Sequence, residues 1–518
     1  MKFDIVIKNG RIIDGSGDPA FNADLGISGG RIAAYGNLTG AAAAKEIDAS
    51  GYTVTPGFID IHRHADAEAY REGYGSLELA QGLTSIVNGN CGLSAAPMSE
   101  YASDELKAYL RPITGEIGGN VPTRSMREYL EGVKNAPVNS FMLVGAGTVR
   151  AGIAGYKKLR LDDEDYAAIH KTLETALSEG ALGVSLGLGY APECFYTTSE
   201  LIRALRPLEN GDIPFTVHMR QEGSGVVESV REMIEVGRAL HCPVHISHLK
   251  AMGRQNWQKK IPEALRLMEE ARADGMDISC DVYPYTAGST QLMHILPQDM
   301  LEGGTEAVLE RLKDRTVREH LLGRIEERID GPSFDNIAKL AGWDGIYVTS
   351  VKTEKNRELQ GKSISEIASL RGVIELDACC DLLTEEGGMV TMIDFMACEE
   401  DIETILRDPF SSLISDSTYP TEGMRHPRVY GTFTHMIEHF VLERQALSLP
   451  AAINRMTLKP AAALRLRGKG LIKEGYDADI CIFKPEELRE NATYTNPCRE
   501  SAGMKYVIVG GKIARENR

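Results

Sequence analysis

Strand-like apolar runs alternate with amphipathic helical runs along most of the chain. This alternation predicts βα units and a parallel sheet, because parallel strands need a crossover connection that is usually a helix. We place eight strands, at residues 57–64, 85–91, 141–145, 182–186, 215–220, 244–250, 277–283 and 412–416. Eight such units predict an α/β fold of the (β/α)8 TIM barrel type, whose chemistry lies at the C-terminal ends of the strands.

The two ends of the chain have a different sequence pattern, in which short strand-like runs are separated by glycine-containing turns. Chain termini often lie close together, so we expect residues 1–54 and 465–518 to form one small β-sandwich domain, with residues 55–464 as the barrel. About 130 residues separate the seventh and eighth strands, which is too many for one βα connection. We therefore expect an inserted subdomain at about 286–343.

Side chains that can bind a metal fall at the ends of the predicted barrel strands. They are His62 and His64 on the first strand, Cys91 on the second, His218 on the fifth, His248 on the sixth and Asp416 on the eighth. Residues i and i+2 of a strand share a face, so both imidazoles of the first strand can reach one metal while Arg63 points away. A lone histidine is more often structural, but a barrel fold does not require polar residues at this shared position.

Imidazole, thiolate and carboxylate donors together favour Zn²⁺, and catalytic zinc sites leave one coordination position open for water. The metal lowers the pKa of that water to about 7 and polarises a carbonyl oxygen. We expect Asp416 to accept the proton from the water and to pass it to a leaving nitrogen. The ligand set therefore predicts a zinc-dependent hydrolase.

Strand parity also gives candidates for substrate binding. Lys250 lies two residues after His248, Arg220 two after His218, and Tyr283 two after Asp281, so these side chains can share the face of the ligands. Arg428 follows the eighth strand, and its guanidinium can hold a carboxylate through two bonds. The alternative is that Lys250, Arg220 and Arg428 form ordinary ion pairs with the many acids of the chain. This alternative is strongest for Arg220.

The formal net charge of −17 argues against a nucleic acid or an anionic membrane as partner, since either needs a basic surface. The N-terminal segment alternates like a strand and has no signal-peptide pattern, and no apolar run is long enough for a spanning helix. Nine cysteines without framework spacing indicate thiols in a reducing compartment. We expect a cytoplasmic protein with a small-molecule substrate, and association into a homo-oligomer is left open.

Five segments resemble the amidohydrolase superfamily, and specifically its D-aminoacylase, or N-acyl-D-amino-acid deacylase, family. They are TPGFIDIHRH at 55–64, GNCG at 89–92, ISHLK at 246–250, DVYPY at 281–285 and HPRVYGTF at 426–433. The resemblance covers nearly the full length. The GNCG segment is the most specific, because its cysteine takes the place of the carboxylated lysine that bridges two metals in many relatives.

The resemblance implies hydrolysis of the amide bond of N-acyl-D-amino acids, which gives a carboxylate and a free D-amino acid. It implies one tight zinc ion and a weaker second metal position, and a substrate carboxylate held by Lys250, Tyr283 and Arg428. The tight zinc would be held by Cys91, His218 and His248, and the second position would be formed by His62, His64, Cys91 and Asp416. The preference for the D configuration rests on the resemblance alone.

The chain departs from the family pattern at three places that border the expected pocket. Ala65 stands where an acid is usual, and Ala146 replaces a common histidine. The fourth-strand motif is altered to LGLGY at 186–190, which makes Tyr190 a further candidate for substrate contact. None of these changes removes an expected metal ligand, but each can reshape the pocket.

Two other functions compete with this one. A cyclic-amide hydrolase, such as a hydantoinase, a dihydropyrimidinase or a dihydroorotase-like enzyme, would use the same metal and the same aspartate. The absence of a strand-borne bridging lysine argues against it. The third hypothesis is a barrel protein that has kept its fold but lost its catalytic activity. The complete ligand set argues against this hypothesis.

Overall fold

The computed structural model describes residues 2–326, 335–420 and 423–517. The described strands are, in chain order, β1 (Lys2–Ile12), β2 (Phe21–Ser28), β3 (Arg31–Gly36), β4 (Ala42–Asp48), β5 (Thr53–Pro56), β6 (Phe58–Asp60), β7 (Leu83–Asn88), β8 (Asn139–Met142), β9 (Val144–Gly145), β10 (Val184–Gly187), β11 (Phe215–His218), β12 (Val244–Ile246), β13 (Ile278–Val282), β14 (Ala287–Gln291), β15 (Ile346–Ser350), β16 (Thr391–Phe395), β17 (Ser411–Leu413), β18 (Ile480–Phe483), β19 (Met504–Val509) and β20 (Lys512–Glu516).

The described helices follow the same order. They are α1 (Ser76–Ala80), α2 (Ser103–Thr114), α3 (Met126–Val133), α4 (Ala146–Ala154), α5 (Asp163–Ser178), α6 (Thr198–Ala204), α7 (Val226–Leu240), α8 (Lys260–Ala273), α9 (Gly304–Leu312), α10 (Arg315–Glu326), α11 (Ile337–Ala341), α12 (Ile364–Arg371), α13 (Glu375–Glu385), α14 (Glu399–Arg407), α15 (Arg428–His435), α16 (Leu449–Met456) and α17 (Leu458–Ala463). A π-helical segment, Met436–Glu443, continues α15. Within these described ranges, no helix is both long enough and apolar enough to cross a membrane.

Eight parallel strand positions close into a barrel. β6, β7 and β8 pair side by side, and β9 continues β8 beyond Leu143 and pairs with β10. From β10 the order runs through β11, β12 and β13 to β17. The ring closes where the Asp416 amide donates to the His62 carbonyl at 2.9 Å and the His64 amide donates to the Ser417 carbonyl at 2.9 Å. Each of the eight predicted runs overlaps one position, so the predicted (β/α)8 barrel is confirmed.

The barrel strands read as short apolar runs because both of their faces are covered. β7 and β10 are buried at every residue, as expected of parallel strands that have side chains inside the barrel and helices outside it. On α7, Val227, Val230 and Ile234 form an apolar stripe that is buried as well. The polar ligands interrupt this apolar texture only where each strand ends.

Both chain ends contribute to one second domain. β1–β5 pair with β18–β20 in an eight-stranded sheet that runs in the order β20-β19-β18-β5-β1-β2-β3, with β4 paired to β1. Ile5, Ile7 and Leu25 from the first end pack with Ile480 and Ile508 from the second in a common core. This arrangement confirms the predicted small β domain that both ends of the chain form together. The domain boundaries at residues 54 and 464 stay predictions.

The segment between the seventh and eighth barrel strands carries its own antiparallel sheet. β16 lies at the centre and pairs with β14 on one side and β15 on the other. Helices α9–α13 are connected to this sheet along the chain. Because β15 and β16 lie beyond residue 343, we propose that the insertion extends to about Phe395.

Arg63 ties the first barrel strand to its neighbours from the side opposite to the histidines. Its guanidinium lies 3.1 Å from the Asp60 carboxylate and 2.9 Å from that of Glu78, and it also donates to the Tyr419 hydroxyl. Asp60 in turn accepts from the Ser415 amide at 3.1 Å, which joins the first strand to the eighth. Arg63 and Asp60 are fully buried, so the charges balance one another inside the protein.

We expect Arg63→Ala to lower the free energy of unfolding by about 3–5 kcal/mol, because the substitution leaves two carboxylates buried without their cation. Denaturant unfolding followed by circular dichroism measures the loss. The matched control is Arg315→Ala, which removes an exposed pair with Glu319 on α10 and should cost less than about 1 kcal/mol. Similar small losses in both variants would contradict the role given to the buried network.

Candidate active site

A cleft opens at the C-terminal ends of the barrel strands, beneath the antiparallel sheet of the insertion. Its cavity volume is about 100 Å³, and it opens to solvent at its mouth. Side chains from the ends of seven barrel strands and from the insertion line it together. They include His64, Cys91, His218, His248, Lys250, Tyr283 and Asp416 from the barrel, and Ser289, His294, Asp335, Asp394 and Met396 from the insertion.

Cys91, His218 and His248 form one compact group of metal-binding atoms. The Cys91 Sγ lies 3.5 Å from the His248 Nε2, and the His218 Nδ1 lies 3.0 Å from the same nitrogen. One donor atom from each of the three residues falls within 4.8 Å of the others. A thiolate with two imidazoles is a donor set that suits zinc.

A second group shares the same cysteine. The Cys91 Sγ lies 3.2 Å from the His62 Nε2, and the ligand atoms of His62, His64 and Cys91 also fall within 4.8 Å of one another. Asp416 faces both histidines, with its Oδ1 3.4 Å from each Nε2. The six side chains predicted as ligands therefore lie together, with Cys91 between the two groups.

The backbone turns sharply where three of these residues leave their strands. Cys91, His248 and Asp416 have positive φ values of 54°, 35° and 51°. Non-glycine residues rarely adopt this left-handed region, and such strain persists only where the surrounding structure fixes it. Each strand has ended before the residue in question, so the turn rather than the strand pleat aims the donor atom into the barrel mouth.

Charge distributes across the donor set as expected for a cation site. Burial alone would raise the pKa of the Cys91 thiol, but the charge of His62 and hydrogen bonds from the neighbouring imidazoles hold that pKa well below its usual range. Burial opposes protonation of His248, yet Glu222 and Cys91 raise its pKa to about 9 despite the opposing charge of Lys250. These buried donors therefore attract positive charge strongly, and a divalent cation is a fitting source of it.

Asp416 has the opposite environment. Burial would raise the pKa of its carboxyl, but Arg428, His64 and His62 outweigh that effect and hold the pKa well below its usual range. The Arg428 Nη1 lies 2.9 Å from the Asp416 Oδ2. Asp416 is therefore ionised at neutral pH and able to accept a proton.

Asp281 supports two of the histidines from behind. Its Oδ2 lies 3.8 Å from the His62 Nδ1 and 2.8 Å from the His245 Nε2, and its Oδ1 accepts from the His248 amide. Outer partners of this kind fix the ring orientation of metal-binding histidines. His245, which was not a predicted ligand, is buried against Asp281 and Ser279.

Glu222 was not predicted as part of the site, because a carboxylate on the loop after the fifth strand is by default solvated. It is buried, and its Oε1 lies 2.8 Å from the His248 Nδ1 while its Oε2 lies 2.6 Å from the Lys250 Nζ. Asp335 of the insertion holds this loop in place, since it accepts from the amides of Glu222 and Gly223. No local pattern could have identified this contact, because Asp335 lies more than a hundred residues away along the chain.

Lys250, Tyr283 and Arg428 lie at one corner of the cleft, which Lys250 and Tyr283 line while Arg428 is fully buried beside them. The Lys250 Nζ lies 5.9 Å and the Arg428 Cζ 5.0 Å from the centre of the Tyr283 ring. Cationic and phenolic donors are suitable partners for a carboxylate. The three residues predicted to hold a substrate carboxylate are therefore neighbours.

Arg220 and Tyr190 are placed differently from each other. Arg220 donates to both carboxylate oxygens of Glu232 and to the carbonyls of Cys194 and Tyr196. These partners occupy most of the N–H donors of the Arg220 guanidinium. This geometry speaks against the expected substrate contact. Tyr190 does face the cleft, where its hydroxyl lies 3.2 Å from the His218 Nδ1 and its ring stacks on His294.

Comparison with known proteins agrees with this geometry. A family model described as the amidohydrolase family matches residues 45–515. A D-aminoacylase from Alcaligenes xylosoxydans xylosoxydans is 34% identical over 98% of this chain and 94% of that protein.

Two solved structures extend the likeness to the fold. An N-acyl-D-glutamate deacylase from Bordetella bronchiseptica, complexed with zinc and a phosphonate mimic of the tetrahedral intermediate, is 29% identical, covers 99% of this chain and 96% of its own, and has a TM-score of 0.83. A D-aminoacylase described by one-metal activation and second-metal attenuation is 31% identical, covers 99% and 97%, and has a TM-score of 0.82.

Proposed function

The chain belongs to the amidohydrolase family, and we propose that it hydrolyses the amide bond of N-acyl-D-amino acids to a carboxylate and a free D-amino acid. The observation that carries the proposal is the position of the Lys250–Tyr283–Arg428 corner beside the donor set centred on Cys91. A substrate that offers its carboxylate to this corner brings its neighbouring amide towards the donors. The D configuration is supported by the activities named for the relatives rather than by any residue of this chain.

We propose that Cys91, His218 and His248 hold a tight zinc ion, and that His62, His64, Cys91 and Asp416 form a weaker second position. Zinc supplies Lewis acidity, which acidifies water and polarises a carbonyl oxygen. The donor set fits this metal because it joins a thiolate of low pKa to imidazoles that have carboxylates behind them, Glu222 at His248 and Asp281 at His62. The relative complexed with zinc supports the choice of metal.

The residues of this chain then have separate tasks. Asp416 accepts the proton from the attacking water on its carboxylate and delivers it to the leaving nitrogen. Arg428 contacts Asp416 in the structure, and a substrate carboxylate beside Arg428 shares that cation. Sharing the cation weakens the hold of Arg428 on Asp416, so the aspartate becomes more basic when substrate is bound. Glu222 keeps Lys250 charged and in place, because the paired carboxylate raises the pKa of that lysine against the effect of burial.

One assay separates this function from its competitors. Zinc-loaded protein is incubated with N-acetyl derivatives of D- and L-amino acids, and in parallel with dihydrouracil and hydantoin. Amine release confined to the D-substrates is the expected result. Ring opening without amine release would establish a cyclic-amide hydrolase instead, and inactivity on the whole panel would leave a barrel without chemistry.

The cell compartment and the assembly state are also proposals. Eight of the nine cysteines are buried free thiols and the ninth, Cys498, is an exposed free thiol. Free thiols suit a reducing compartment, so we propose a cytoplasmic location. Association into a homo-oligomer stays open, and the substrate is expected to be a small molecule rather than a nucleic acid or a membrane.

A further inference from the structure

We propose that the acyl group of the substrate lies in the part of the cleft lined by Leu93, Tyr190, His294 and Leu301, which we call the acyl subsite, and that the ring of Tyr109 closes this subsite and restricts it to short acyl groups. The inference rests on the proposed function, to which it adds a residue that determines specificity. It concerns the carbonyl side of the scissile amide rather than the amino acid.

The metal-binding nitrogens lie between the corner proposed for the substrate carboxylate and Tyr190. The Lys250 Nζ lies 3.1 Å from the His248 Nδ1, and the Nε2 of the same imidazole lies 3.0 Å from the His218 Nδ1. The Tyr190 hydroxyl lies 3.2 Å from that nitrogen of His218. Lys250 and Tyr190 therefore stand at the two ends of a row of contacts whose middle is the donor set.

The shape of an amide spans the same row. A trans amide places its two carbon substituents on opposite sides of the C–N bond. One of these substituents carries the carboxylate that we place at the Lys250 corner, and the scissile carbonyl lies at the donors. The other substituent is the acyl group, which is thereby directed away from Lys250 and towards Tyr190.

The side chain of the amino acid meets different residues. It leaves the same carbon atom as the carboxylate, so it begins beside the corner that Lys250 and Tyr283 line. Met396 also lies at this corner, because a Cβ on Gly288 would collide with the Met396 Cε and would lie 3.4 Å from the Tyr283 hydroxyl. The side chain and the acyl group therefore occupy separate parts of the cleft.

The wall of the acyl subsite is uncharged and mainly apolar. The Tyr190 ring stacks on His294 with the ring centroids 4.3 Å apart. Burial and the neighbouring His218 lower the pKa of His294 to about 3, so its ring is neutral at physiological pH. Leu93 and Leu301 add aliphatic surface to the same wall. A hydrocarbon acyl group buried against such surface is stabilised by the hydrophobic effect.

Tyr109 stands between this subsite and two small voids. It extends from α2, on the face that carries the buried residues Leu106, Leu110 and Ile113 at helical spacing. Each void has a volume of about 10 Å³, and Tyr109 lines both of them as well as the cleft. The Gln291 side chain donates to the Tyr109 carbonyl at 3.0 Å, which fixes α2 against β14 of the insertion.

The Tyr109 ring therefore limits the space that an acyl chain can use. The cleft has a cavity volume of about 100 Å³, and each void has room for about one water molecule. Removal of the ring would join the cleft to both voids, whose linings include the apolar side chains of Leu106 and Val308. Each methylene buried there would favour binding about fourfold.

Steady-state kinetics with the zinc-loaded protein compares N-acetyl-, N-butyryl- and N-octanoyl-D-leucine in the wild type and in Tyr109→Ala. We expect kcat/KM of the wild type to be at least about tenfold lower for octanoyl than for acetyl, and the octanoyl-to-acetyl ratio to rise at least about tenfold in Tyr109→Ala. Tyr109→Phe keeps the ring and should keep the wild-type ratio. Equal values for acetyl and octanoyl in the wild type, or an unchanged ratio in Tyr109→Ala, would overturn the inference and leave the proposed function intact.

Tyr156→Ala is the matched control. Its ring centroid lies 5.3 Å from that of Tyr109, and it lines both voids but is not among the described residues that line the cleft. The same truncation therefore enlarges the voids behind an intact wall and should leave the octanoyl-to-acetyl ratio at the wild-type value. A rise as large as that in Tyr109→Ala would mean that general loosening of this region admits the chain, and Tyr109 would lose its role.

A binding measurement separates the acyl group from the amino-acid side chain. In zinc-loaded Asp416→Asn, titration calorimetry measures affinities for the same compounds and for N-acetyl-D-alanine without turnover. Adding Tyr109→Ala should tighten octanoyl binding relative to acetyl and leave the D-leucine-to-D-alanine ratio unchanged. The reverse pattern would assign this part of the cleft to the side chain and overturn the inference. The expected binding ratios without wild-type turnover of any compound would support the subsite and remove the proposed function.

Discussion

Asp416→Asn should lower kcat by about a thousandfold while the protein keeps its tightly bound zinc. The amide cannot accept a proton from water, and positioned acid–base groups of this kind contribute about 10²–10⁴-fold. The tight group of Cys91, His218 and His248 does not include this carboxylate, so its donors are retained. Single-turnover kinetics and metal analysis on the same preparation measure both properties.

Asp408→Asn is the matched control for this experiment. Asp408 precedes β17 and is paired with Arg272 at 3.1 Å, while Asp416 follows the same strand at its other end. Active sites of TIM barrels lie at the C-terminal ends of the strands, so the control should keep wild-type kcat. Near-normal turnover in Asp416→Asn would remove that residue from proton transfer, and loss of the tight zinc would make it a ligand of the tight position instead.

The barrel could be predicted from sequence because its signals are local. Each strand is a short apolar run, each helix has its own period, and their alternation limits the fold to a few topologies. The family assignment made from five short segments is confirmed by a match over residues 45–515. Neither the local strand and helix patterns nor the five short segments require knowledge of which residues distant in sequence contact one another.

The prediction of the site relied on strand parity, and the structure shows that parity is not what orients several of these side chains. The ligands were grouped by strand parity, but β12 ends at Ile246 and β17 at Leu413, so His248, Lys250 and Asp416 lie beyond the strand ends. Left-handed turns rather than pleating direct His248 and Asp416 inwards. Parity still selected residues that lie together, because polar side chains follow each apolar run where the strand ends.

Contacts from other segments could not be predicted in this way. Glu222 becomes part of the site only because the insertion, through Asp335, holds its loop over His248 and Lys250. Arg220 is drawn to Glu232 on α7, which leaves it few donors for a substrate. Asp394 reaches the cleft from a sheet that lies more than a hundred residues beyond the seventh barrel strand. Each of these depends on long-range packing for which the local pattern carries no signal.

Cys91→Ala should abolish tight zinc binding and lower kcat/KM by at least about a thousandfold. The thiolate belongs to both three-donor groups found among the described residues, so its removal leaves only two histidines in each group. Loss of the metal forfeits several kcal/mol of charge stabilisation in the transition state, and each 1.36 kcal/mol is a factor of ten in rate. Equilibrium dialysis against a zinc chelator series measures the affinity, and the deacylase assay measures the rate.

Cys280→Ala is the control that isolates the chemistry of this cysteine from its packing. Both thiols are buried, Cys280 within β13 and Cys91 just beyond the end of β7. Burial and nearby acids raise the pKa of Cys280 well above its usual range, whereas the imidazoles lower that of Cys91. A thiol that stays protonated is a poor metal ligand, so Cys280→Ala should cost about 1 kcal/mol of stability and retain stoichiometric zinc. Stoichiometric zinc in Cys91→Ala as well would mean that the histidines and Asp416 suffice to bind the metal, and the thiolate at the centre of the proposed mechanism would lose its role.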